Sequence, residues 1–235
     1  MIEITSSTEL PSKREVITLR TSDNLTLIGE LALPVNNAPS AVLLTLHPLP
    51  THGGFMDSHI LRKAANRLPA LANLAVLRFN TRGTTSPQGT SEGVFGEGIT
   101  EQLDLEAALD FLASRKLGPV WLVGWSFGTE LAIKYGFDKD IAGAILLSPP
   151  LHRAKDSDLV KWIGSNRKLV AIVPEHDEYL APKEAIVRFS VVPEAEVIAV
   201  DGAKHLWVGE LATRTVLNEI VKIVAPGSYP LPEKF

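Results

Sequence analysis

The sequence predicts an α/β fold in which a mostly parallel sheet is covered by helices, and three observations carry that reading. Short runs rich in Val, Ile, Leu and Thr alternate with longer amphipathic runs, the pattern of strands joined by crossover helices. The first two β-like runs are instead separated by a few turn-forming residues, which suits an antiparallel hairpin at the sheet edge. Finally, 235 residues with 45% hydrophobic content can bury one sizeable core and are too few for two comfortable domains. A single domain over residues 1–235 is therefore expected.

The hairpin is assigned to residues 14–19 and 25–33, around Thr21, Ser22, Asp23 and Asn24, whose Asp and Asn favour turns. Parallel strands are expected at 41–46, 75–79, 119–124, 141–148, 169–174 and 196–200, which makes eight strands. Helices are expected near 58–67, 98–117, 127–137, 182–190 and 206–224, each apolar at i, i+3, i+4 spacing. In the second, Leu103, Ala107 and Phe111 form the stripe, while Glu101, Asp104 and Glu106 sit early, where the helix dipole favours anions. The loop 81–98, the turn 35–40 and the tail 225–235 are the segments expected to lack regular structure.

Composition removes several function classes. A net charge of −4 and the absence of a long basic run leave no phosphate-binding stripe, so nucleic acid is not an expected partner. No apolar stretch approaches the ~18 residues of a spanning helix, and the polar start from Met1 to Glu9 lacks the basic-then-apolar pattern of a signal peptide. No membrane association is expected. With no cysteine there are no disulfides, no thiolate catalysis and no zinc-thiolate site, which fits a cytoplasmic protein. No histidine pair has metal-ligand spacing with a third ligand in register, so neither a metal nor another cofactor is expected.

The segment Gly124-Trp125-Ser126-Phe127-Gly128 follows an apolar strand and opens a helix, a context that lifts a serine clear of the backbone on a sharp turn. Glycines flank such a serine because side chains two residues away would collide with the neighbouring strand and helix. A helix beginning at Phe127 also directs free N–H groups at charge developing beside Ser126. Gly-x-Ser-x-Gly alone is weak, arising by chance in about 8% of chains this long. Its company strengthens it.

A hydroxyl nucleophile needs a base in hydrogen-bond reach, and the base needs an orienting carboxylate. Asp177 stands just after the strand 169–174 and His205 just after the strand 196–200. Parallel strands end on one sheet edge, so Ser126, Asp177 and His205 converge in one crevice. Glu175 and Glu178 beside Asp177 leave a second candidate acid open, Glu175 first. His176 reads as a solvated loop residue, because neighbours in a loop point in different directions. His47 and His52 are expected to anchor their loop rather than transfer protons.

With serine, acid and histidine in this order, each after its strand, the chain resembles the α/β-hydrolase superfamily over nearly its whole length. The resemblance implies an eight-stranded sheet with helices on both faces and an oxyanion loop after the third strand. There the chain has His47-Pro48-Leu49-Pro50-Thr51-His52-Gly53-Gly54, similar to the His-Pro variants among small hydrolases of the superfamily. Neither proline can donate an N–H, so the oxyanion hole is assigned to the backbone N–H groups of Leu49 and Phe127, with Gly53 and Gly54 next in line. Asn80, Thr81, Arg82 and Gly83 match a recurrent segment read as structural.

In place of the multi-helix lid found in lipid-clamping relatives, residues 151–168 leave room for one short helix, a minimal cap. That segment carries five Lys or Arg against two Asp, read as a solvated edge or as a cationic mouth that prefers anionic acyl groups. The resemblance implies a serine hydrolase, most simply a carboxylesterase acting on a small-molecule ester or acyl substrate. A peptidase, thioesterase or acyltransferase uses the same machinery, and a non-catalytic ligand-binding protein is the reading from a different class. The oligomeric state is left open by the sequence.

Overall fold

The computed structural model describes residues 2–235. Its strands are β1 (Lys13–Arg20), β2 (Thr26–Leu33), β3 (Ala41–Leu46), β4 (Leu74–Phe79), β5 (Thr85–Ser86), β6 (Gly89–Thr90), β7 (Val120–Trp125), β8 (Gly143–Leu147), β9 (Lys168–His176) and β10 (Glu196–Lys204). Eight of them form one sheet in the order β1-β2-β4-β3-β7-β8-β9-β10. The β1–β2 and β2–β4 pairings are antiparallel and every later one is parallel, the α/β-hydrolase fold with its edge hairpin.

The helices are α1 (His59–Ala72), α2 (Glu101–Arg115), α3 (Phe127–Tyr135), α4 (Asp156–Leu159), α5 (Pro182–Phe189) and α6 (Glu210–Val224). Strand side chains alternate between faces, so β3 sends Val42, Leu44 and Leu46 to one layer and Ala41 and Leu43 to the other, all buried. The first layer is closed by α2, α3, α4 and α5, the second by α1 and α6. Burial on both sides explains why β3 and β4 are apolar in almost every position. No helix among the described residues is long and apolar enough to cross a membrane.

Some bounds depart from the sequence expectation because distant partners set them. Helix α1 runs on to Ala72 rather than ending at 67, with Pro69 inside it. The proline lacks the N–H that would reach the Ala65 carbonyl, and Arg14 Nη2 from β1 donates to that carbonyl instead, at 3.4 Å. The Leu10 N–H likewise donates to Asn66 O at 2.8 Å. Helix α2 begins at Glu101 rather than 98, because the Glu101 carboxylate turns back to accept the N–H groups of Gly96 at 2.6 Å and Gly98 at 2.8 Å.

Helix α6 begins at Glu210 rather than 206, since Trp207 at φ 51° and Gly209 at φ 100° hold the preceding residues in a loop. Strand β10 continues past Val200 through an irregularity in its pairing with β9, carrying the chain on to His205. The 81–98 segment is more ordered than expected. It contains the β5–β6 hairpin and is pinned by Arg82, which donates to Asp104 at 2.9 Å and Asp23 at 2.9 Å. The cap holds α4 and a 3-10 turn, Val160–Trp162, that lies on α3 with the Trp162 indole donating to Ile133 O at 2.9 Å.

Candidate active site

Ser126 sits between the last residue of β7 and the first of α3, with φ 52° and ψ −116°. That backbone conformation is rare for any side-chain-bearing residue and persists because its surroundings over-determine it. A Cβ on Gly124 would lie 2.5 Å from Gly128 O, and one on Gly128 would lie 2.0 Å from Leu46 O. Strand, turn and helix meet too closely there for any other residue. The pentapeptide is therefore a packing requirement of the elbow that exposes the serine.

The Ser126 hydroxyl lies 3.0 Å from His205 Nε2, and His205 Nδ1 lies 3.0 and 3.1 Å from the two Asp177 oxygens. A carboxylate only accepts, so Nδ1 carries the proton facing Asp177 and Nε2 is left to accept from the serine. Asp177 also accepts the N–H groups of Tyr179 at 2.9 Å and Leu180 at 3.3 Å. Burial works to raise the Asp177 pKa, but these hydrogen bonds, led by that to His205, outweigh it and bring it below its ordinary value of 3.8. Glu175 is turned away, its carboxylate taking the Gly202 N–H at 2.7 Å. His176 is exposed and 3.7 Å from Glu175.

Three residues not singled out from sequence hold His205 in place. Its carbonyl accepts the Trp125 indole N–H at 3.2 Å and the Ser148 hydroxyl at 3.2 Å, both buried. The Tyr179 ring stands edge-on to the imidazole, with centroids 4.6 Å apart. Trp125 lies inside the elbow pentapeptide and so carries a positional signal, whereas Ser148 owes its position to φ 50° at the end of β8 and carries none.

His47 is buried and anchors the loop that follows β3. Its Nδ1–H donates to Pro48 O at 2.7 Å, and Nε2 accepts the Thr81 N–H at 3.1 Å. Burial depresses its pKa to about 4 against the opposing effect of the Pro48 carbonyl. His52 does not anchor the loop; it is exposed, and its ring contacts only the hydroxyl of adjacent Thr51, at 3.1 Å. Leu49 has φ −55° and ψ 117°, the extended region that a following proline imposes. Its N–H has no acceptor among the described residues, and Phe127, as first residue of α3, has no intrahelical acceptor.

Residues 46–217, running from the end of β3 into α6 and containing Ser126, Asp177 and His205, match the alpha/beta hydrolase family. The chain belongs to this family. It is 34% identical over 119 residues to an uncharacterized protein of Rickettsia prowazekii, RP471, a stretch that spans 49% of this chain and about half, 47%, of that protein. Among solved structures it superimposes with TM-score 0.75 on XC6422 from Xanthomonas campestris, described as an α/β serine hydrolase without a lid, at 24% identity, covering 94% of this chain and 99% of that one. With the Pyrococcus furiosus esterase Pf2001 the TM-score is 0.69 at 21% identity, covering 91% and 94%.

In this alpha/beta hydrolase, Ser126 opens into a cavity of about 310 Å³, walled by Leu49, Trp125, Phe127 and Tyr179, with Glu130 and Arg153 as its charged residues. The positive charges of 151–168 do not gather at its mouth. Lys161 pairs with Asp158 at 3.0 Å, Lys168 with Glu196 at 3.3 Å, and Arg167 donates to Lys139 O at 2.6 Å. Arg153 is flanked by Glu97 at 2.8 Å and Glu130 at 3.8 Å. Among the described residues no group of three or more His, Cys, Asp or Glu could hold a metal ion.

Proposed function

We propose that this chain is a serine hydrolase that cleaves small or accessible carboxylic esters through an acyl-enzyme intermediate. The observation that carries the reading is the continuous hydrogen-bonded relay from Ser126 Oγ through His205 to Asp177, with 3.0 Å at each link. Ser126 Oγ bonds to the ester carbonyl carbon as its proton passes to His205 Nε2, and the negative charge goes to the carbonyl oxygen. The N–H groups of Leu49 and Phe127 receive that charge. On collapse the alkoxide leaves with the proton from His205; water, deprotonated by His205, then adds to the acyl carbon, and as the acyl-serine bond breaks His205 returns that proton to Ser126 Oγ, releasing a carboxylic acid. Asp177 holds the imidazole in the required tautomer and stabilises its cationic form. A cytoplasmic location, a small-molecule substrate and no cofactor complete the proposal.

A fluorophosphonate tests it directly. Covalent modification of Ser126 and turnover of simple esters are expected, and Ser126→Ala should abolish both, with a loss on the order of 10⁴ to 10⁶ in kcat. An Ala variant that keeps its turnover would sink the assignment. A wild-type chain that never reacts would favour the non-catalytic binding reading, and a panel of esters, thioesters and amides separates the leaving groups.

A further inference from the structure

The backbone that carries His205 is held from outside its own loop. Lys204, His205, Leu206 and Trp207 form a tight turn closed by the Trp207 N–H on Lys204 O at 2.9 Å. Such a bond ties the ends of a turn and leaves its central peptide open to more than one orientation. Trp207 also stands at φ 51°, a costly conformation for a bulky side chain that persists only where the surroundings impose it. Donors from other elements supply that constraint.

The His205 carbonyl takes the Trp125 indole and the Ser148 hydroxyl. The Leu206 carbonyl takes a group from α1, His59 Nε2, at 2.7 Å. A carbonyl only accepts, so His59 carries a proton on Nε2. The peptide between Leu206 and Trp207 is thereby gripped on both sides, by its N–H within the turn and by its C=O from His59. His59 is itself braced. Its ring stands at 88° to that of Trp125, with centroids 5.2 Å apart, so it packs on the residue that precedes the nucleophile. Further along α1, Arg67 donates to the Glu210 carboxylate at 2.6 and 3.0 Å, holding the chain where it enters α6.

On the hydrolase reading given above, we propose that His59 is a positioning residue for His205, acting through its hydrogen bond to Leu206 O and its packing on Trp125. Substrate would meet Trp125 and Leu206, which line the Ser126 cavity, and His59 only through them. Loss of the bond should therefore act on the alignment of the imidazole with Ser126 Oγ, where a misplacement of about 1 Å costs on the order of 10² in rate.

Two variants separate positioning from simple packing. His59→Phe keeps a ring beside Trp125 and removes the donor; it should lower kcat by about 10- to 100-fold with KM within about twofold of the wild-type value. Fluorophosphonate labelling of Ser126 should slow by a similar factor, since it needs the same proton transfer to His205. His59→Gln restores an N–H near the end of the side chain and should recover most of the loss. A purely structural bond would instead lower the Tm of His59→Phe and leave kcat and labelling at wild-type rates, which overturns the proposal. An equal loss in both variants also overturns it. Where His59→Phe fails to fold, nitrogen NMR of the histidine-labelled wild-type chain decides: His59 should be protonated on Nε2, and a neutral ring protonated on Nδ1 alone has no bond to give Leu206 O. Absence of both labelling and ester turnover in the wild-type chain would bring down the hydrolase reading, with the NMR result for His59 unaffected.

Discussion

Ser126 offers a way to weigh backbone strain separately from chemistry. At φ 52° and ψ −116° it occupies a region that glycine populates freely and other residues adopt at a cost of about 1–3 kcal/mol. Ser126→Ala keeps that strain and loses the hydrogen bond to His205 Nε2, worth about 0.5–1.5 kcal/mol. Ser126→Gly loses the same bond and releases the strain, but costs about 0.5–1 kcal/mol through the greater freedom of an unfolded glycine. The hydrogen-bond loss cancels between the two variants. The Gly variant should therefore be more stable than the Ala variant by about 1 kcal/mol, or roughly 2–4 °C in Tm for a chain of this size. Thermal unfolding of both in one buffer measures the difference. A Gly variant that melts at or below the Ala variant would refute strain at the elbow.

Three further outcomes follow from the site. Asp177→Asn should lower kcat by about 10⁴ through loss of the carboxylate on His205, while Glu175→Gln, removing a group bonded to Gly202, should change it little; steady-state kinetics with the reverse pattern would make Glu175 the acid. His47 has a folded pKa of about 4 against an ordinary 6.5, so the unfolded chain binds the extra proton between those values. Its stabilisation is complete above pH 6.5 and falls by on the order of 3 kcal/mol as pH drops toward 4. Denaturant midpoints across that window should show the fall, and His47→Gln should flatten it; an unchanged slope would contradict a buried neutral imidazole. Replacing the Leu49 amide by an ester through semisynthesis should cost about 10² to 10³ in kcat with little change in KM, whereas an unchanged kcat would move the donor elsewhere.

What the sequence made legible was local. The hairpin could be read because Asp23 and Asn24 mark a turn between two β-rich runs, and the elbow because glycine is required at two fixed offsets from Ser126. What it hid depends on partners far away in the chain. Pro69 is a helix terminator by local rules, and only Arg14, 55 positions earlier, makes it tolerable. The five cations of 151–168 looked like one patch, yet three of them, Lys161, Lys168 and Arg153, are paired with Asp158, Glu196 and Glu97 in different directions. Ser148 and Glu130 carry no local pattern, since each matters for what it touches across the fold.

The loop after β3, proposed above to supply the oxyanion hole, shows how a short run can be held without help from a cap. Leu49 O accepts the N–H groups of His52 and Gly54, each at 3.0 Å, and Gly53 N–H is taken by Pro50 O at 3.2 Å. Gly53 and Gly54 are thus committed to the turn itself, which strengthens the case for Leu49 as the donor. A Cβ on Gly54 would lie 2.1 Å from Pro48 O, so the loop closes on itself only with glycine there. On the other side, neutral His47 ties Pro48 to Thr81 beyond β4. Two prolines fix φ on either side of Leu49, and its carbonyl is clamped, so the plane of the preceding amide has little freedom left. Ordering is then complete on folding rather than on substrate binding. An N–H prearranged in this way contributes mainly where charge develops on the carbonyl oxygen, which is why its loss should appear in kcat far more than in KM.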